Sequence, residues 1–115
     1  MPPSKPLKVS WYYILVSLAA ADRHGLAIAR EVLALSDGQM RLWPAMLYGA
    51  LDDLCSCGWI EELLDGRRRP DDSERKRYYR ITRAGRSAAA AETDRLAGLV
   101  RVARARVKPR TGETT

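Results

Sequence analysis

Pro44-Ala45-Met46-Leu47-Tyr48-Gly49-Ala50-Leu51-Asp52-Asp53-Leu54-Cys55-Ser56-Cys57-Gly58-Trp59-Ile60-Glu61-Glu62-Leu63-Leu64, residues 44–64, carries a helix, its stop and a strand in one run. Pro44 suits the first helical position, where its missing N–H costs nothing. Leu47, Leu51, Leu54 and Cys55 recur at helical spacing and predict a buried stripe. Gly58 ends the helix, as a residue in the left-handed conformation does. Trp59 to Leu64 then reads as a strand. The opposite face of the helix's first half carries Ala45, Met46, Tyr48 and Gly49, which no core needs.

Upstream, Ser36-Asp37-Gly38 is a turn signal. Before it, Ile28, Ala29, Val32 and Leu33 line the inner side of a helix expected over Leu26 to Leu35. Residues Arg23 to Gly25 form a short break, with His24 as a helix-start residue. A first helix is expected from a cap at Ser10 to about Asp22, with Trp11, Ile14, Leu15 and Leu18 on one face. Met40 to Trp43 reads as a short connection or a short strand, so that a tight turn joins the second and third helices.

Downstream, the loop from Asp65 to Glu74 contains Gly66, Pro70 and adjacent aspartates and cannot be helical throughout. Arg75 to Ile81 reads as a second strand, with Tyr79 and Ile81 on one face and Tyr78 and Arg80 on the other. Thr82 caps a last helix running to about Val107. Leu96, Leu99, Val100, Ala103 and Val107 form its apolar stripe, and Arg95, Arg101, Arg104 and Arg106 its other faces. That stripe runs past the point where a compact domain should end, so it is expected to pack on something outside its own core.

The order helix, helix, helix, hairpin, helix predicts a mainly α protein with a β-hairpin wing: a winged helix-turn-helix followed by a long C-terminal dimerisation helix. Residues 1–9, with three prolines and two lysines, are expected to be a flexible basic arm. Residues 10–81 form the winged-helix domain, 82–107 the dimerisation helix and 108–115 a flexible tail.

The 115 residues suffice for one domain with a modest core. Twenty Lys and Arg against fourteen Asp and Glu leave a net charge of +6, which speaks to partners rather than to fold. The longest apolar run, Trp11 to Ala21, falls short of the roughly 20 residues of a membrane span, and lacks a cleavage signature. No membrane association and a cytoplasmic location are therefore expected. Cys55 and Cys57 with the single His24 make a poor metal set. No nucleophile–base pairing and no Gly-rich phosphate loop are present, so neither a catalytic residue nor a cofactor is expected.

Between Gly66 and Arg86 nine basic residues face three acidic ones. The charge run alone fits a solvated hairpin as well as a phosphate-contacting one. On a hairpin directly after a helix pair it favours DNA, with the second helix of the pair in the major groove and the wing beside it. Trp43, Ala45, Met46 and Tyr48 on the third helix, and Arg67, Arg68, Arg69, Arg75, Lys76 and Arg77 on the wing, are the candidate contacts to double-stranded DNA.

Four stretches resemble the PadR-like transcriptional regulators of the short kind with one C-terminal helix. Tyr13-Ile14-Leu15 with Leu18 is similar to the family's opening helix. His24-Gly25-Leu26-Ala27-Ile28 is similar to its His-Gly-Tyr-x-Ile stretch. Leu47-Tyr48-Gly49-Ala50-Leu51 with Leu54, Gly58, Trp59 and Ile60 resembles the recognition helix and first wing strand. Arg75-Lys76-Arg77-Tyr78-Tyr79-Arg80-Ile81-Thr82 with Gly85 resembles the second wing strand and the entry to the last helix. The likeness spans about Ser10 to Arg106. It implies a homodimer on an inverted repeat, joined through the first and last helices, and a repressor released by a small aromatic or drug-like effector. Ile14, Leu96, Leu99, Val100, Ala103 and Val107 are the interface candidates. Trp11 and Tyr12 are the aromatics on which a flat effector could stack.

Two departures bear on function. Leu26 stands where the family has Tyr, and Trp43, Ala45 and Met46 stand where it favours small or hydroxyl residues. The front of the third helix is left apolar. That keeps a second reading open, a winged-helix protein–protein interaction module that does not bind DNA. A small enzyme or enzyme subunit is the third class, with no constellation to support it.

Overall fold

In a computed structural model of the chain, residues 7–63 and 77–109 are described. The first element, α1 (Val9–Ala20), starts one residue before the expected cap. Lys8, not Ser10, precedes it, without a side-chain cap. The chain is held there by packing: Leu7 lies against the core. Of the arm expected over residues 1–9, residues 1–6 lie outside the described residues, and Val9 is already helical.

Residues Arg23–His24, expected to be only a break, form a two-residue strand, β1. His24 then caps α2 (Gly25–Leu35), its Nδ1 accepting the Ala27 N–H at 3.3 Å. The end of α2 is closed twice over. The Gly38 N–H reaches the Leu33 carbonyl at 2.8 Å and the Asp37 N–H the Ala34 carbonyl at 3.2 Å. That pairing requires a left-handed residue after the cap, and Asp37 takes it at φ 53°.

The connection to α3 (Pro44–Ser56) is eight residues long, 36–43, and contains no strand. It is thus not the tight turn expected. Leu42, 6% exposed, plugs the core from it. The Ser36 hydroxyl accepts the Met40 N–H at 2.9 Å. These two anchors fix an irregular path that an alternating strand pattern could not supply. At the far end of α3, Gly58 (φ 79°) adopts the left-handed conformation. Its N–H bonds to the Cys55 carbonyl and that of Trp59 to the Leu54 carbonyl, at 3.0 and 3.1 Å.

β2 (Ile60–Leu63) and β3 (Tyr78–Ile81) pair antiparallel, Ile60 opposite Ile81 and Leu63 opposite Tyr78. β1 adds to the other edge of β3, giving the order β1-β3-β2. Tyr79 and Ile81 face inward, as their alternation predicts. Thr82 caps α4 (Arg83–Arg106): its hydroxyl accepts the Gly85 N–H at 3.1 Å and donates to the Gly58 carbonyl at 2.6 Å. Gly85 is required because a Cβ there would collide with the Trp59 carbonyl.

The core gathers Ile14, Leu15 and Leu18 from α1, Ile28 and Val32 from α2, and Leu47, Leu51 and Leu54 from α3, closed by Ile60, Tyr79 and Ile81. Each such aliphatic side chain contributes about 1.5–3 kcal/mol by leaving water. Ile14 is 0% exposed within this core. Of the residues expected at an interface between copies, Ile14 is thus a core residue within the single chain. The first half of α4 packs on α1. Beyond Leu96 the helix leaves the body, and Leu99 and Val107 are 57% and 74% exposed.

Candidate nucleic-acid interface

The second helix of a helix-turn-helix can enter a groove only if its front is free of the core. Here α3 buries Leu47, Ala50, Leu51 and Leu54 and turns Trp43, Ala45, Met46 and Tyr48 outward. Trp43 is 63% exposed and Met46 54%. No acidic side chain lies in the first turn, and no side chain caps it. The first-turn N–H groups and the positive end of the helix dipole therefore face outward, an arrangement suited to phosphate. Asp52 and Asp53, both exposed in the second half, restrict close approach to the opening turns.

Tyr48 has a packing role beside its exposure. Its ring lies over Gly25, where an added Cβ would come within 2.5 Å of the hydroxyl oxygen. The Tyr48–Gly25 contact sets how α2 and α3 sit against each other. Arg41 comes to the same front, its guanidinium 5.5 Å from the centroid of the Trp43 ring. Leu26, 54% exposed, and Arg30 join from α2. Leu26, Arg30 and Arg41 were not among the expected contact residues. The signal for the first two was available, because both lie on the α2 face opposite Ile28 and Val32. Arg41 stands in an irregular segment where no periodicity could orient it.

Of the wing cations, Arg67, Arg68, Arg69, Arg75 and Lys76 lie outside the described residues. Arg77 is exposed and pairs loosely with Glu62 at 3.9 Å. Arg80 pairs with Glu61 across the strands at 3.5 Å. The foot of the wing is thus partly neutralised by its own strand β2. Burial pushes the Tyr79 hydroxyl up to about 12, with the Glu62 charge adding to the rise.

Trp11 and Tyr12 are engaged within the chain. Trp11 meets Trp59 edge-on with centroids 5.9 Å apart and carries the Lys8 ammonium over its ring at 5.3 Å. The Tyr12 hydroxyl bonds to that of Thr93 at 2.7 Å. Burial raises the Cys55 thiol, which disfavours the reactive thiolate. Among the described residues no group of His, Cys, Asp and Glu could hold a metal ion, and no helix is long and apolar enough to cross a membrane.

A family model described as the transcriptional regulator PadR-like family matches residues 14–91. No curated protein matches the chain. Among solved structures, a transcriptional regulator from Clostridium thermocellum superposes with a TM-score of 0.70 at 23% identity, covering 86% of this chain and 90% of its own. A PadR family transcription regulator from Clostridium difficile superposes with a TM-score of 0.71 at 19% identity, covering 87% and 99%. RosR of H. salinarum superposes with a TM-score of 0.64 at 26% identity, covering 80% and 76%.

Proposed function

The chain belongs to the PadR-like family of transcriptional regulators, DNA-binding proteins of winged-helix fold, and from that premise we propose that it is a repressor. It binds an inverted repeat as a homodimer and lets go when a small aromatic effector arrives. It is not an enzyme. The observation that carries the DNA-binding part is the front of α3: exposed, without an acidic residue in its first turn, and open at its positive end.

In this reading α3 lies in the major groove and α2 crosses the phosphate backbone. Met46 and Tyr48 meet base edges, where apolar side chains favour thymine methyls. The wing arginines and lysine neutralise phosphates and add affinity without sequence preference. Two copies join through the free half of α4, where Leu99, Val100 and Val107 are exposed, with Leu96 and Ala103 on the same stripe. Residues 10–81 read DNA, and residues 82–107 set the spacing of the two reading heads.

A mobility shift with the DNA upstream of the protein's own coding sequence, at moderate salt, tests this. A discrete complex that survives excess random DNA is the expected result. The apolar front of α3 also supports the other reading, a protein-docking module. Absence of any shift, together with a tight α3-dependent complex with another protein, would replace the first reading by the second.

A further inference from the structure

Arg41 is tethered at the entry to α3. Its guanidinium lies 5.5 Å from the centroid of the Trp43 ring, within cation–π range, about 6 Å. Trp43 precedes Pro44, the first residue of α3, and is 63% exposed, so the pair stands on the surface at the open end of the helix. No carboxylate among the described residues pairs with Arg41, whereas Arg23, Arg77, Arg80 and Arg95 each have one. Asp52 and Asp53 lie in the far half of the helix. Arg30, the other cation on this front, stands on α2.

The two arginines differ in what they can reach. On the reading of α3 as the groove-entering helix, on which this inference rests, α2 crosses the phosphate backbone and carries Arg30 with it. Arg41 travels with the end of α3 that enters the groove first. A long side chain that is ordered only on binding pays rotamer entropy at that moment. Contact with the Trp43 ring orders Arg41 in advance, and a cation–π contact consumes none of its N–H donors. The other side chains of the opening turns are poor donors. Ala45 and Met46 carry none, the Tyr48 hydroxyl lies over Gly25, and the Trp43 indole has a single N–H. In the major groove guanine alone presents two acceptors, O6 and N7, to which the arginine fork is matched. We propose that Arg41 is a specificity-determining residue that reads one guanine in each half-site, with Trp43 as its positioning residue.

Selection of bound duplexes from a random library by the full chain tests this. The wild type should enrich a site with a guanine fixed at one position of each half. Replacing that guanine by 7-deazaguanine, which lacks the N7 acceptor, should weaken the wild type by ~10-fold or more. Arg41→Ala should bind the selected duplex more weakly and be indifferent to the replacement. Trp43→Leu should lose most of the guanine preference, and Trp43→Phe, which keeps a ring, should retain it. A merely structural Trp43 would lower affinity for all duplexes alike and leave the preference intact. Arg30→Ala should weaken all duplexes alike and flatten the salt slope by about 0.9 per protomer, as a phosphate contact does. Arg30, Arg41 and Trp43 are all exposed, so the variants should melt like the wild type. An Arg41→Ala variant that keeps its sensitivity to 7-deazaguanine overturns the assignment. So does one that behaves like Arg30→Ala, and so does a selected site without a fixed guanine; in these three cases the DNA reading stands. Enrichment of no sequence at all refutes the DNA reading and this inference with it.

Discussion

Single residues settle where the helices stop. Gly58 and Asp37 occupy the same left-handed position after α3 and α2, but only one is glycine. Gly58→Ala forces a Cβ into that conformation and should cost about 1 kcal/mol or more, read as a drop of several degrees in Tm. Asp37→Gly should move Tm the other way by less, since Asp tolerates this region better than Ala. Both melts are simple to compare, and the pair is informative because neither side chain is in the core. The turn signals that carry these stops were plain in the sequence. Glu92 was not: nothing in the alanine-rich start of the last helix marked it. Its side chain is only 7% exposed and is held by Arg95. The hydrogen bond from Arg95 and its charge keep the carboxyl below its ordinary value of 4.5. A depressed carboxylate contributes stability above its unfolded value and loses it as pH falls through the native one. Glu92→Gln should therefore lower Tm at neutral pH, and its melt should converge on the wild type in acid. An equal deficit at every pH would mean that packing, not charge, is what Glu92 supplies.

At the scale of elements, what was legible followed from length and period. Four helices and two wing strands could be read because each repeats an apolar pattern often enough to show its period. β1 could not, because two residues show no alternation and Arg23-His24 looks polar. The path of residues 36–43 could not, because its order comes from Leu42 in the core and from the Ser36–Met40 hydrogen bond. The candidate site divides in the same way. Trp43, Ala45, Met46 and Tyr48 were visible as the unused face of a helix, but Arg41 stands in the irregular segment before it, where no period could orient it. Wing and helix should also separate in function. Each phosphate contact contributes about −0.9 to the slope of log K against log salt. Converting Arg75, Lys76 and Arg77 to Ala should weaken operator and random DNA alike and flatten that slope by up to about 3. Arg77 alone should account for less than a full share, since Glu62 already faces it at 3.9 Å. Replacing Met46 should change preference among operator variants by about 1–3 kcal/mol at the base it meets, with the salt slope intact. A triple variant with the wild-type slope would leave the charged hairpin as solvated surface.

The whole molecule is asymmetric in how its last helix is used. α4 has 24 residues, about 36 Å of helix at 1.5 Å per residue. Ala88, Ala89 and Glu92 are buried against the body, whereas Leu99, Val100, Val102 and Val107 are exposed. Such a row of aliphatic side chains marks an interaction surface, and Val100, Ala103, Arg104 and Val107 border a shallow depression on it. A second copy is the occupant that suits a reader of inverted repeats, since a two-fold axis through α4 would give both α3 helices equivalent positions. Leu99→Glu discriminates sharply, because Leu99 is 57% exposed in one chain. In a lone chain the substitution puts a charge in water and should leave the unfolding free energy within about 0.5 kcal/mol of the wild type. In a dimer it buries a charge without a partner, twice, at a cost of several kcal/mol. The expected outcome in light scattering is a folded monomer, with operator affinity reduced to that of a single reading head and Tm no longer dependent on protein concentration. A variant that remains a dimer of normal stability would move the interface off α4, and with it the assignment of residues 82–107 to holding two copies together.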